Sequence, residues 1–132
     1  MIVGFNTDKL EADKTQGAAQ GSLQVNYTPE ITDVETAKVN AIDGEVAKIN
    51  YTFRVSYTVG ETEAAYIQQE GNLLWNGDTE TITQEWEENQ QLPENVNKKV
   101  INDLYRKCLT QAVGVAKTLG LLPPFPTPTV NQ

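Results

Sequence analysis

Residues 49–59 alternate without a break. Apolar side chains stand at Ile49, Tyr51, Phe53, Val55, Tyr57 and Val59, and polar ones at Asn50, Thr52, Arg54, Ser56 and Thr58. A period of two is the repeat of a pleated strand, whose side chains point to opposite faces in turn. A helix would scatter the same apolar residues around its whole circumference. The β-branched and aromatic content agrees. The pattern therefore predicts a strand over residues 46–59 with one buried face, and the rest of the chain has to cover that face.

Other segments read as its neighbours. Val3 and Phe5 share one parity and Leu10 and Ala12 the opposite one, the mark of a bulge inside a first strand. Residues 15–21 are small and polar and read as a turn or loop. Leu23, Val25 and Tyr27 alternate as a second half-buried strand, which Pro29 must either end or hold at a sheet edge. Ile31 and Val34 follow less regularly, and Asp43-Gly44 is a turn signal. Residues 60–63, Gly-Glu-Thr-Glu, are short enough to close a hairpin onto a fourth strand over 64–75. Gly71 inside that strand predicts a bulge or a close backbone approach.

The period changes after the Asn76-Gly77-Asp78 turn. Residues 79–90 form an acidic stretch with Ile82 and Trp86 one helical turn apart. Leu92-Pro93 interrupts it, and Pro93 suits the first position of a second helix reaching Leu119, with Gly120 as its C-cap. Val96, Val100, Ile101, Leu104, Tyr105, Cys108, Leu109, Ala112, Val113, Ala116 and Leu119 paint one stripe along it. Residues 121–130, with four prolines, are expected to be extended. The whole, residues 1–132, reads as a single α+β domain with a proline-rich tail over 121–132. A four-stranded antiparallel sheet is followed by a short acidic helix and a long one. The long helix either covers one sheet face or packs on a second subunit.

Composition narrows the function. The chain has no histidine and one cysteine, Cys108, which excludes a histidine-dependent enzyme, an internal disulfide and a cysteine zinc cluster. Cys108 lies in the apolar stripe and reads as a small core residue. Asp8, Glu11 and Asp13 lack a calcium-type loop, so no metal or other cofactor is expected. A net charge of −8 argues against a nucleic-acid surface. Between Arg54 and Lys98 there is no base, while nine acids stand there, from Glu61 to Glu94. That stretch is either a solvated face or a docking surface for a basic partner. No signal peptide or spanning segment is seen, so a cytoplasmic protein without membrane insertion is expected. Trp75 and Trp86 read either as core or as an aromatic groove for non-native apolar segments.

Three segments resemble the SecB family of protein-export chaperones and its SecB-like relatives. Val25-Asn26-Tyr27-Thr28-Pro29-Glu30-Ile31 is similar to the family's aromatic-x-Pro-Glu-Val segment. Residues 45–77 are similar to its central hairpin, with Gln68-Gln69-Glu70-Gly71 in the place of a Gln/Gly-rich fourth strand. Residues 92–123, with Arg106-Lys107-Cys108, resemble its long interface helix and the segment after it. The resemblance implies a holdase for unfolded polypeptide clients, built as a homodimer or homotetramer. It places Tyr27 in a peptide groove flanked by Leu23, Val25 and Ile31. It places Asp8, Glu11 and Glu70 at the surface that meets the export ATPase. It puts the long helix, with Val100, Leu104, Cys108, Leu109 and Ala112, between subunits. The family's final helix and basic, zinc-associated tail have no counterpart before Gln132, a pattern closer to SecB-like proteins that guard antitoxins.

Two further readings stand beside the chaperone. One is a structural or adaptor subunit of a viral or multiprotein assembly, holding one dedicated partner. The other is a small-molecule carrier, which needs an enclosed pocket.

Overall fold

The computed structural model describes residues 1–14, 23–38 and 44–121. The sheet has four strands: β1 (Ile2–Lys14), β2 (Leu23–Lys38), β3 (Glu45–Val59) and β4 (Thr62–Trp75). Two helices follow, α1 (Thr79–Asn89) and α2 (Glu94–Leu119). The domain is α+β, an antiparallel four-stranded sheet followed by two helices. The expected loop over 15–21, the Asp43 side of the turn signal and the proline-rich segment after Leu121 lie outside the described residues.

Strand order is β1-β4-β3-β2, every neighbouring pair antiparallel. β2, β3 and β4 form a meander, and β1 lies beside β4, the order of a Greek key. β1 and β2 are therefore the two edges. β3 turns into β4 at Gly60 and Glu61, since Val59 pairs with Thr62, and Gly60 takes φ 63°. A left-handed first loop position suits the tight hairpin turns whose twist matches the strands.

The alternation in β3 is realised in full. Ile49, Tyr51, Phe53, Val55, Tyr57 and Val59 are buried, and the residues between them are half-buried on the other face. The parity change in β1 is a bulge at Asp8, because Thr7 pairs with Gly71 and Lys9 with Glu70. A second shift falls between Ile2 and Gly4. It leaves Val3 exposed and turns Ile2 to the core, so Val3 does not share a face with Phe5 in the way the parity implied. The irregular stretch after Pro29 is also a bulge. Ile31 pairs with Tyr51 and Asp33 with Asn50, so Ile31 and Val34 face the same side despite opposite parity. Pro29 does not end β2. It lies inside the strand, which is possible because β2 is an edge.

Gly71 is a close approach. A Cβ there would overlap the Asn6 carbonyl oxygen and lie 2.9 Å from the Thr7 Cα. Tyr51 pairs with Gly71 across the two central strands, and its hydroxyl donates to the Asn6 carbonyl at 3.2 Å. Pro93 stands one residue outside α2 as its N-cap, not at the first helical position. Its fixed φ, here −52°, still orients the chain into the helix. Gly120 ends the helix at φ 72°, and its N–H donates back to Ala116 and Lys117.

The core lies between one sheet face and the helices. From β4 come Ala65, Ile67, Leu73 and Trp75, and from α1 come Ile82 and Trp86. α2 contributes Val96, Val100, Leu104, Cys108, Leu109, Ala112 and Ala116. The stripe of α2 is thus used on the chain's own sheet. The five residues assigned to a subunit interface, Val100, Leu104, Cys108, Leu109 and Ala112, are at most 2% exposed in the single chain. In the single chain those side chains meet its own sheet. A sheet face this apolar needs a cover, and the chain's own amphipathic helix supplies it. Among the described residues no helix is long and apolar enough to cross a membrane.

Candidate functional site: the strip beside edge strand β2

β2 turns Val25, Tyr27, Pro29 and Ile31 toward α2, and all four are half-buried. They stay half-buried because β2 is the last strand and α2 lies over the sheet's middle. α2 meets them with Ile101 and Tyr105, one turn apart and also half-buried. Tyr105 joins the strip to the core. Its ring meets Tyr27 edge-on at 6.3 Å and Phe53 at 5.5 Å with the planes at 89°. Edge-to-face aromatic pairs contribute about 0.5–1.5 kcal/mol beyond area burial, so these rings are held in place. Burial raises the Tyr27 phenol, with a smaller push from Tyr105, and burial raises the Tyr105 phenol too. Both are neutral near pH 7.

At the Ile31 end the strip opens into a groove of about 640 Å³. Its apolar wall is Pro29, Ile31, Trp86, Leu92, Pro93 and Ile101. Glu30, Glu85 and Glu94 also line it; no Lys or Arg stands among its described lining residues, though Lys98 pairs with Glu94 at 3.8 Å. Gln90, in the left-handed region at φ 55°, turns the chain out of α1 here, and its side chain donates to the Trp86 carbonyl at 2.9 Å.

Of the expected groove residues, Val25, Tyr27 and Ile31 lie along this strip and Trp86 at its end. Trp86 is 8% exposed, so it is a core residue that shows one edge to the groove. Trp75 is elsewhere. It is 6% exposed, packs on the β1 side beside Ile2 and borders a separate depression with Lys99, Asn102 and Arg106. Nothing of the Leu23 side chain is described. Sequence reasoning missed Ile101 and Tyr105 as site residues. Val96, Val100, Leu104, Cys108, Ala112 and Ala116 form an unbroken i, i+4 spine. Ile101 and Tyr105 stand one step off that spine, which marks them as its flank.

The three acids expected at a partner surface do come together, on the sheet face that no described helix covers. Asp8, at the bulge, accepts hydrogen bonds from the Asn6 and Asn72 amides. Lys9 pairs with Glu11 at 3.5 Å and with Glu70 at 3.9 Å. The Tyr66 hydroxyl donates to Glu11. That bond, and then Lys9, hold the Glu11 carboxyl below its usual range. Arg54 stacks over the Tyr66 ring at 4.1 Å and reaches Gln68 at 2.8 Å and Glu63 at 2.6 Å. These groups are exposed or half-exposed, and such pairs are weak enough to exchange partners.

Cys108 is fully buried, and burial pushes its thiol up to about 12. A thiol held protonated in this way is neither a nucleophile nor a ready metal ligand. The nearby Gln69 amide donates to the Cys108 carbonyl at 2.8 Å. Comparison with known protein families, with curated proteins and with solved structures finds no match to this chain.

Proposed function

We propose that this protein is a non-enzymatic, SecB-like holdase, which keeps extended, non-native polypeptide in solution by binding apolar side chains along the β2–α2 strip. One observation carries the reading. Val25, Tyr27 and Ile31 on β2 and Ile101 and Tyr105 on α2 are half-buried apolar side chains at the margin of the core; Tyr27 meets Tyr105, and Ile31 and Ile101 line a groove that shows an edge of Trp86. Half-buried aromatic side chains offer large contact area while losing few rotamers. Several shallow contacts of this kind sum to reversible binding without strict sequence choice. The acidic surroundings keep such a surface soluble. A cytoplasmic setting belongs to this reading, as does a partner such as the export ATPase or an antitoxin at the Glu11–Glu70 face.

The test is suppression of aggregation of an unrelated denatured protein. The native chain is expected to hold it soluble near stoichiometric ratio. Tyr27→Ala, which removes one ring from the strip, is expected to weaken the hold by about tenfold, the scale of one aromatic anchor. A native chain that leaves the aggregation rate unchanged overturns the proposal.

A further inference from the structure

Pro29 stands inside the paired run of β2, opposite Phe53, and among the described residues β2 has a strand neighbour on one side only. A strand residue turns its N–H and C=O to the same edge, and residues two apart share that edge. Proline has no N–H, and a ladder tolerates it where the nitrogen faces away from the partner strand. Pro29 therefore faces outward. Pairing runs without a shift from Leu23 to Ile31, so Val25, Tyr27 and Ile31 turn their N–H groups outward with it. An incoming strand would find donors at Val25 and Tyr27 and none at Pro29. It would then find one at Ile31, followed at once by the bulge before Asp33. The outward donor series is interrupted at Pro29, although its carbonyl still faces outward, while Val25, Tyr27, Pro29 and Ile31 all stay half-buried on their side-chain face.

We infer that Pro29 and the bulge decide how the strip binds: it takes the apolar side chains of an extended segment while that segment's main chain forms no ladder with β2. This rests on the reading under Proposed function. The occupant is an extended polypeptide poor in acidic residues, because Glu30, Glu85 and Glu94 line the groove and Lys98, which pairs with Glu94 at 3.8 Å, offsets only part of that charge. Guarded in this way, the exposed edge is also closed to the edge strand of a second copy, the usual hazard of an open sheet.

Two experiments test it. The first compares binding of a labelled apolar peptide with binding of the same peptide N-methylated at alternate backbone amides. Side-chain recognition keeps the two affinities within about threefold, whereas a ladder of two or three bonds would lose about tenfold or more on methylation. A tenfold loss overturns the inference. The second replaces the proline, as Pro29→Val and Pro29→Thr, which restores the missing donor in two different side-chain contexts. The expected result is a larger mass in light scattering than the native chain, from edge-to-edge pairing. If both variants fold and keep the native mass, the guard is refuted. If the native chain binds no peptide, the holdase reading falls, and the mass of the proline variants still decides the guard.

Discussion

Gly71 is the position where the fewest atoms matter most. Its missing Cβ lets the β1 backbone at Asn6 and Thr7 lie against β4, and the Tyr51 hydroxyl then reaches the Asn6 carbonyl. Gly71→Ala is expected to push β1 away and destabilise the fold by about 1–3 kcal/mol, the range for overpacking. Urea unfolding measures it, and a change under about 0.5 kcal/mol would mean that β1 shifts freely. Cys108 illustrates the opposite case, a reactive group made inert. With its thiol raised to about 12 by burial, it is expected to resist a thiol reagent in the native state and to react at the rate of unfolding. Rapid labelling of the folded chain would contradict its burial.

α2 decides between two uses of one amphipathic helix. Its spine is fully buried against the sheet, so Leu104→Asp places a charge where there is neither water nor a partner. The expected outcome is loss of at least about 3 kcal/mol of stability. Thermal unfolding with light scattering would separate that from a folded chain of smaller mass, the result if the spine served a subunit contact. The flank of the helix has a softer role. Replacing Glu30, Glu85 and Glu94 together by Gln is expected to weaken binding of a lysine-bearing apolar peptide by about three- to tenfold and to flatten its salt dependence, as exposed charges do. Elements of this kind were legible in the sequence where a period held over many residues. The alternation of residues 49–59 and the spine of α2 each reported its own burial, whereas the parity change in β1 marked the bulge at Asp8 but not burial, since Val3 and Leu10 are both exposed. The site was legible only in part. Val25, Tyr27 and Ile31 stood in a pattern, but their meeting with Ile101 and Tyr105 depends on which edge of the sheet β2 occupies, and strand order leaves no mark on a local period. Trp75 and Trp86 are alike as residues and differ only in what the fold sets beside them.

At the scale of the molecule the sheet has one dry face and one wet one. On the dry side Tyr27, Tyr51, Tyr57 and Tyr105 all have phenols raised above the ordinary value of 10, chiefly by burial. A folded chain that holds these protons more tightly than the unfolded chain keeps the resulting stability below about pH 10 and loses it as pH rises further. Unfolding free energy is therefore expected to fall steeply between about pH 10 and 12, and Tyr51→Phe to make that fall shallower. A flat profile over that range would contradict the burial of the four rings. Strand order has a different consequence, one that belongs to synthesis. β1 is made before the other described strands, yet Ile2 pairs with Trp75, so its partner is the last of those four strands to be made. At about 5–20 residues per second the nascent first strand waits several seconds with its edges unpaired. The meander of β2, β3 and β4 can form from contacts near in sequence, so β1 is expected to be the final strand the sheet admits.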